Sequence, residues 1–381
     1  MLLFRIIAAW FVLLALAVLP VEAGKRVALV IGNSAYTQAG TLANPVNDAA
    51  DMARALTGTG FDVILGLDLD RRSFDEKLRA FSRALEDADT AVLFYAGHGL
   101  QVAGRNYLLP VDASLKSERD LDFETVPLDF VLRQMETGRE GKTNIVFMDA
   151  CRDNPLARNL ARSMGTRSAS LGVGLAEVQT GVGTFIAYST QPGNVALDGD
   201  GRNSPFTASL QTRVQEQGRN LTAVMIEVRK DVLKATGGRQ VPWDHSALTS
   251  DFYFQAAASE SAGSSSLSAA EQEAMQARLR AIEEQIRSKT DRRQTLDLVK
   301  LSQLKERVRQ LEEALRQDQQ RIFDAYNRNG PANDADSRRN LSLEIGSIQV
   351  QMARKGQEKK SLAEQISRLT KDLGMKEAEA E

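Results

Sequence analysis

Two short segments of the sequence carry side chains suited to nucleophilic chemistry. One apolar run ends in Gly97-His98-Gly99, and a second ends in Asp149-Ala150-Cys151-Arg152. If these runs are neighbouring strands, a thiol and an imidazole lie side by side, where the thiolate attacks and the imidazole manages the protons. The alternative is that Cys151 is a small buried hydrophobic residue.

Backbone groups beside this pair are suited to stabilising negative charge. The glycines that flank His98 permit close approach of a ligand to the backbone. The N–H groups near Gly99 and Cys151 would hold a developing oxyanion. The segment therefore predicts acyl-transfer chemistry on a Cys-His dyad.

The small number of cysteines and histidines argues against a disulfide or a zinc site. The chain contains one cysteine and two histidines, His98 and His245. A disulfide within one copy is impossible, and a Cys/His zinc site lacks enough ligands, so no metal site is predicted. His245 precedes the last predicted strand, and we expect it to be structural.

Apolar runs alternate with helical patterns from residue 25 onward, which predicts an α/β layer fold with a largely parallel sheet. In such sheets, ligands and active-site residues lie at the carboxyl ends of the strands. The predicted strands are Arg26–Ile31, Phe61–Leu65, Thr90–Ala96, Thr143–Ala150, Gly183–Ser189 and Asp251–Phe254. The predicted helices are Val46–Leu56, Ser73–Leu85, Pro127–Met135, Ser204–Gln215 and Leu221–Thr236.

Four motifs in this order resemble the caspase-like cysteine peptidases. They are Asn47-Asp48-Ala49, Tyr95-Ala96-Gly97-His98-Gly99, Asp149-Ala150-Cys151-Arg152, and Tyr188-Ser189-Thr190 with Pro192-Gly193. His98 and Cys151 are 53 positions apart, where caspases have about 50. The resemblance spans about Lys25 to Phe254 and implies a mostly parallel sheet sandwiched by helices. It also implies His98 as general base and acid, Cys151 as nucleophile, and the Gly99 and Cys151 amides as the oxyanion hole.

Departures from caspases proper determine the predicted substrate. Caspases hold an aspartate with arginines and with a glutamine before Ala-Cys; here Asp149 replaces that glutamine, and Asn33-Ser34-Ala35-Tyr36 offers no arginine. A carboxylate repels an aspartyl side chain and attracts a basic one. By resemblance to metacaspases and paracaspases, Asp48 and Asp149 form an acidic pocket, so we predict cleavage after Arg or Lys. The alternative for Asp48 is the N-cap of the helix Ala49–Leu56.

The predicted loop 152–174 carries three arginines, Arg158, Arg162 and Arg167, among small residues. Connections at this place are often self-cleaved in the family. We therefore expect autoprocessing after one of these arginines, with an exposed basic loop as the alternative. The run Asp198-Gly199-Asp200-Gly201 lacks the spacing of a calcium loop and predicts a turn; no cofactor is predicted, and calcium has no support beyond some metacaspase relatives.

The N-terminus predicts export to the periplasm or the exterior. A short basic start is followed by an apolar run, Ile6–Leu19, and by Val21-Glu22-Ala23, which resembles a cleavage site. This run is short for a membrane span, so we predict a signal peptide over residues 1–23. The alternative is an uncleaved anchor.

Two long helices are predicted after the peptidase-like domain, residues 24–255, and a small-residue linker, residues 256–267. Apolar residues recur at 3-4 spacing from Leu301 to Leu315 and again from Leu341 to Leu373, with Lys355 and Lys359 at seam positions. Asn329-Gly330-Pro331 separates them, which predicts a coiled-coil helical hairpin over residues 268–381, with a stutter near residues 289–294. Such a hairpin would associate with itself or with a partner helix.

Net charge argues against nucleic acid as a partner, because 48 Lys and Arg face 50 Asp and Glu. The sequence thus predicts a cysteine endopeptidase that acts on proteins or peptides with basic residues. Two alternatives stay open. One is an inactive caspase-like binding platform, and the other is an envelope scaffold that works through the hairpin.

Overall fold

A computed structural model of the protein describes residues 24–151, 175, 178, 180–191, 196–199, 201–257, 269–329, 335–373 and 375. The predicted signal peptide, the loop 152–174 and most of the linker therefore lie outside the described residues. None of the described helices is both long enough and apolar enough to cross a membrane.

A mostly parallel sheet forms the centre of the first unit, and its strands run in the order β2-β1-β3-β6-β7-β8. The central strands β1, β3 and β6 are apolar at consecutive positions because helices cover both faces. β8 is antiparallel to β7 at the edge, and β4 and β5 form an antiparallel extension of β3. The strands are β1 (Arg26–Gly32), β2 (Asp62–Leu67), β3 (Thr90–Val102), β4 (Arg105–Leu108), β5 (Val126–Pro127), β6 (Thr143–Cys151), β7 (Thr184–Tyr188) and β8 (Trp243–Ser246).

Helices pack on the two faces of the sheet. α2 and α4 cover the face that carries Val27, Leu29 and Ile31, whereas α1 packs against the strands together with α5. Side-chain caps start several helices; Asp70 accepts from the Ser73 N–H at 2.7 Å, and Ser204 accepts from the Thr207 N–H at 3.0 Å. These helices are α1 (Pro45–Gly58), α2 (Arg71–Leu85), α3 (Leu121–Glu124), α4 (Leu128–Glu136), α5 (Pro205–Arg213) and α6 (Leu221–Ala235).

The predicted fold class is confirmed, and the edge of the sheet is corrected. The predicted closing strand, Asp251–Phe254, is wrong, because only Tyr253 forms an isolated bridge, with Asn220. The edge strand is β8, so His245 lies within a strand, opposite Ile186, and does not precede one. An edge strand is partly exposed and needs no apolar run; Trp243 is 46% exposed.

The second compact unit begins at residue 284 and consists of two long helices. α7 (Ala269–Asn329) is continuous through residues 289–294, and α8 (Ala335–Asp372) returns beside it. The antiparallel pairing is fixed by interhelical ion pairs between Arg307 and Glu358 at 2.9 Å and between Lys355 and Asp318 at 2.6 Å. Seam residues that are buried in this unit include Leu301, Leu311, Ala325, Ile345 and Ile348.

Gly97 has a backbone that an ordinary residue would not adopt. Its φ is +153°, and a Cβ built there would lie 2.6 Å from Tyr36 Oη and 2.9 Å from Tyr95 Oη. Both hydroxyls are buried and hydrogen-bonded to the backbone around His98. A side chain at position 97 would therefore displace these groups.

We expect Gly97→Ala to destabilise the domain by at least about 2 kcal/mol, because strain and steric overlap add. Gly104→Ala is the matched control, since Gly104 also has a positive φ, +77°, but a Cβ added there would meet no atom within 4 Å. Denaturant unfolding of the two variants measures the difference. Equal destabilisation of both would contradict a steric role for the tyrosines.

Candidate active site

Residues 98 and 151 are register partners on neighbouring strands. β3 pairs with β6 in parallel from Thr90↔Thr143 to His98↔Cys151. Adjacent strands lie about 4.8 Å apart, so the backbone brings the two predicted catalytic positions together. The Cys151 side chain lies outside the described part of the structure.

The His98 imidazole is buried, with 2% of the residue exposed, and its orientation is fixed on two sides. Nε2 is 2.7 Å from the Gly40 carbonyl oxygen. Because a carbonyl only accepts, Nε2 carries a proton, which makes Nδ1 the basic nitrogen of the neutral ring. The Tyr36 ring packs against the imidazole with a centroid distance of 4.5 Å.

Two tyrosines hold the backbone of His98. The His98 N–H donates to Tyr36 Oη at 2.7 Å, and Tyr95 Oη donates to the His98 carbonyl at 2.7 Å. Burial raises the pKa of Tyr36 well above its usual value, so this phenol stays neutral. Neither tyrosine was predicted to be a site residue, because tyrosine spacing along the chain carries no signal of this tertiary contact.

The orientation of the Gly99 amide follows from the pairing of β3 with β4, and its role in an oxyanion hole stays a prediction. The Leu109 N–H donates to the His98 carbonyl at 3.2 Å, which makes the facing pair Gly99 and Leu108 a non-hydrogen-bonded pair. The Gly99 N–H therefore points away from β4. It faces the other edge of β3, where β6 ends at Cys151.

Asp48 and Asp149, here called the acidic pair, are brought together as predicted, although they are 101 positions apart in the sequence. Only 2% of Asp48 and 6% of Asp149 is exposed. Ser204 contacts both: its N–H donates to Asp48 Oδ1 at 3.0 Å, and its hydroxyl donates to Asp149 Oδ2. Thr207 Oγ1 also donates to Asp149 Oδ2, at 2.7 Å.

The N-cap alternative for Asp48 is wrong. α1 begins at Pro45 with Asn44 at its N-cap, so Asp48 lies inside the first turn. A residue there has helical backbone and does not cap the helix. Its carboxylate accepts instead from the Ser204 N–H, 156 positions away, and its role in a substrate pocket stays a prediction.

Burial raises the pKa of both members of the acidic pair. Burial and the nearby Asp149 carboxylate raise the pKa of Asp48 to about 8. Burial also raises the pKa of Asp149, in spite of the hydroxyl groups that donate to it. Within the described residues, no Lys or Arg side chain forms an ion pair with either carboxylate, so the site lacks an internal counter-ion there.

Residues 196–199 and 201–204 include further contacts to the first turn of α1 beside the acidic pair. The Asn44 side chain donates to the Asp198 carbonyl, and Asn47 Nδ2 donates to the Arg202 carbonyl at 3.2 Å. Gly199 has a φ of +73°, as the predicted turn requires, whereas Asp200 lies outside the described residues. The roles of Ser204 and Thr207 in the site were missed. The Ser-Pro pair signals only the start of α5.

Comparison with known proteins identifies the family of the first unit. The sequence model of the caspase domain matches residues 25–253, which is more than half of the chain. The human mucosa-associated lymphoid tissue lymphoma translocation protein 1 is 30% identical over 129 residues, which cover 33% of this chain and 15% of that protein. The mouse homolog gives the same values.

A paracaspase of Dictyostelium discoideum is 30% identical over 95 residues, or 23% of each protein. The chain thus spans less than a quarter of the length of these relatives. The caspase-domain model covers residues 25–253, which include the strands of the sheet and the ends of β3 and β6. By this match the chain belongs to the caspase-domain family.

Proposed function

We propose that this chain is a cysteine endopeptidase that cleaves after Arg or Lys. The observation that carries the proposal is the register of β3 and β6, which pairs His98 with Cys151 and sets Asp149 two positions before Cys151. Membership of the caspase-domain family supports the peptidase class. The acidic pair supports the basic specificity.

In the proposed mechanism, the Cys151 thiol gives its proton to His98, and the thiolate attacks the scissile carbonyl carbon. The Gly99 and Cys151 N–H groups stabilise the oxyanion. The C–N bond then breaks while His98 protonates the leaving amine. Water attacks the thioester as His98 takes its proton, and the carboxylic acid and the thiol are released.

Selectivity for a basic residue follows from the charge of the acidic pair. A guanidinium or ammonium group supplies the counter-ion that the buried carboxylates lack. Asp149 and Cys151 are separated by two residues of extended chain, about 7 Å. This distance suits a long side chain whose carbonyl lies at the nucleophile.

Paired fluorogenic peptides that end in Arg or in Asp test this function. We expect the wild type to hydrolyse the Arg peptide only, and Cys151→Ala and His98→Ala to lower that rate by at least about 10³-fold. Unchanged melting temperatures would show that the variants are folded. Equal inactivity of wild type and variants would favour a binding platform, and hydrolysis of the Asp peptide would refute the acidic pocket.

The affinity for an Arg peptide should rise with pH up to about 8 and then level off. The reason is that Asp48, with a pKa of about 8, must lose its proton to pair with the cation. Stability should change in the opposite direction, because the folded state binds a proton that an unfolded aspartate releases above pH ~4. The measurements are 1/KM and denaturant midpoint against pH. Asp48→Asn should weaken the pH dependence of both 1/KM and the denaturant midpoint. Asp129 is a surface carboxylate beside Arg105, so Asp129→Asn should leave both pH dependences unchanged.

Autoprocessing within residues 152–174 is part of the proposal. We expect purified wild type to yield two fragments on incubation, and Cys151→Ala to stay intact. Replacement of Arg158, Arg162 and Arg167 together by Gln should also prevent the cleavage. One full-length band in the wild type after prolonged incubation would contradict it.

We further propose that the enzyme acts outside the cytoplasm and that the hairpin assembles copies of the chain or a partner helix. Exposed apolar side chains on the described part of the hairpin support an assembly role. They are Leu296, Val299, Phe323, Leu343 and Val350.

A further inference from the structure

Two acidic residues one turn apart on α1 differ in their partners. Asp48 belongs to the acidic pair, which has no Lys or Arg partner within the described residues. Asp51 is also buried, yet it forms ion pairs with both Arg202 and Arg54. The helix therefore places a carboxylate that forms ion pairs one turn away from a carboxylate that is hydrogen-bonded but forms no ion pair within the described residues.

The contacts of Asp51 hold the guanidinium of Arg202 in one direction. Arg202 Nε donates to Asp51 Oδ2 at 3.0 Å, and Asn203 Nδ2 donates to the same oxygen at 2.9 Å. Burial alone would raise the pKa of Asp51, but hydrogen bonds from Arg202 and Asn203 outweigh it, so the pKa is lowered and the carboxylate is ionised.

Arg202 lies close to the acidic pair along the chain. It precedes by two residues Ser204, which donates to both Asp48 and Asp149. Two residues span at most about 7 Å, and an arginine side chain is long and flexible. The Arg202 side chain is 57% exposed, so its pairing with Asp51, rather than burial, sets its direction.

We propose that Asp51 is a positioning residue that keeps Arg202 out of the acidic pocket. The inference rests on the proposed basic specificity of that pocket. Without Asp51, the Arg202 guanidinium turns to the acidic pair and competes with the basic side chain of the substrate. The apparent affinity is then the intrinsic affinity multiplied by the fraction of molecules whose pocket is open.

The test measures binding of a fluorescent Arg peptide by full-length protein that carries Cys151→Ala, so that turnover does not interfere. We expect Asp51→Asn to raise the Kd about tenfold, as when Arg202 occupies nine pockets in ten. Adding Arg202→Gln to that variant should return the Kd to within about twofold of the parent. Arg54→Gln is the matched control; it removes the other ion-pair partner of Asp51 and should leave the Kd unchanged.

Salt separates direct competition from a long-range charge effect. The Kd of Asp51→Asn is divided by the Kd of the parent, both at 0.5 M NaCl. A ratio that stays near ten supports occupation of the pocket by Arg202, and a ratio near one overturns the proposal. A Kd that stays raised in the double variant also overturns the proposal, because Asp51 then shapes the site itself. If Asp51→Asn does not fold, Asp51→Ser takes its place, alone and combined with Arg202→Gln, by the same criterion.

Failure of this inference is distinguishable from failure of the proposed function. If the parent protein binds the Arg peptide but Asp51→Asn binds equally well, only the role of Asp51 is refuted. If the parent shows no preference for the Arg peptide over an Asp peptide, the basic pocket is refuted, and the inference with it.

Discussion

The parallel pairing of β3 with β6 is the constraint on which the whole site depends. Its register sets His98 opposite Cys151 and Ala96 opposite Asp149. A slip of one residue would exchange the faces of the sheet to which the side chains of β6 belong. Apolar residues at nearly every position of β3 and β6 bury both strands, which makes such a slip costly.

The burial of two carboxyl groups, those of Asp48 and Asp149, explains why the residues around them donate so many hydrogen bonds. An unpaired carboxylate in a protein interior is unfavourable unless donors or protons compensate it. Ser204 and Thr207 supply donors, and burial still raises the pKa of both Asp48 and Asp149. The remaining deficit of positive charge is what a basic substrate would supply.

Much of this fold follows from local sequence patterns, and much of the site does not. The five parallel strands are continuous apolar runs, so their positions were predictable. β4 is only four residues long, and its sole signal is the Ala103-Gly104 turn before it, whose residues have φ values of +49° and +77°. The partners of His98, Tyr36 and Gly40, are 62 and 58 positions away from it. Contacts of that range depend on the completed sheet, and no local pattern encodes them.

In the proposed mechanism, catalysis and specificity are linked because β6 carries both Cys151 and Asp149. A cation bound at Asp149 would be held by the same strand that ends at Cys151, so the binding energy of the proposed substrate side chain would fix the position of the scissile carbonyl. The neighbouring strand β3 would present the imidazole and the Gly99 amide to that carbonyl from a backbone that Tyr36 and Tyr95 hydrogen-bond at His98. Pre-organised groups need little rearrangement when the oxyanion forms, and this lowers the barrier only for substrates that the acidic pair holds in place.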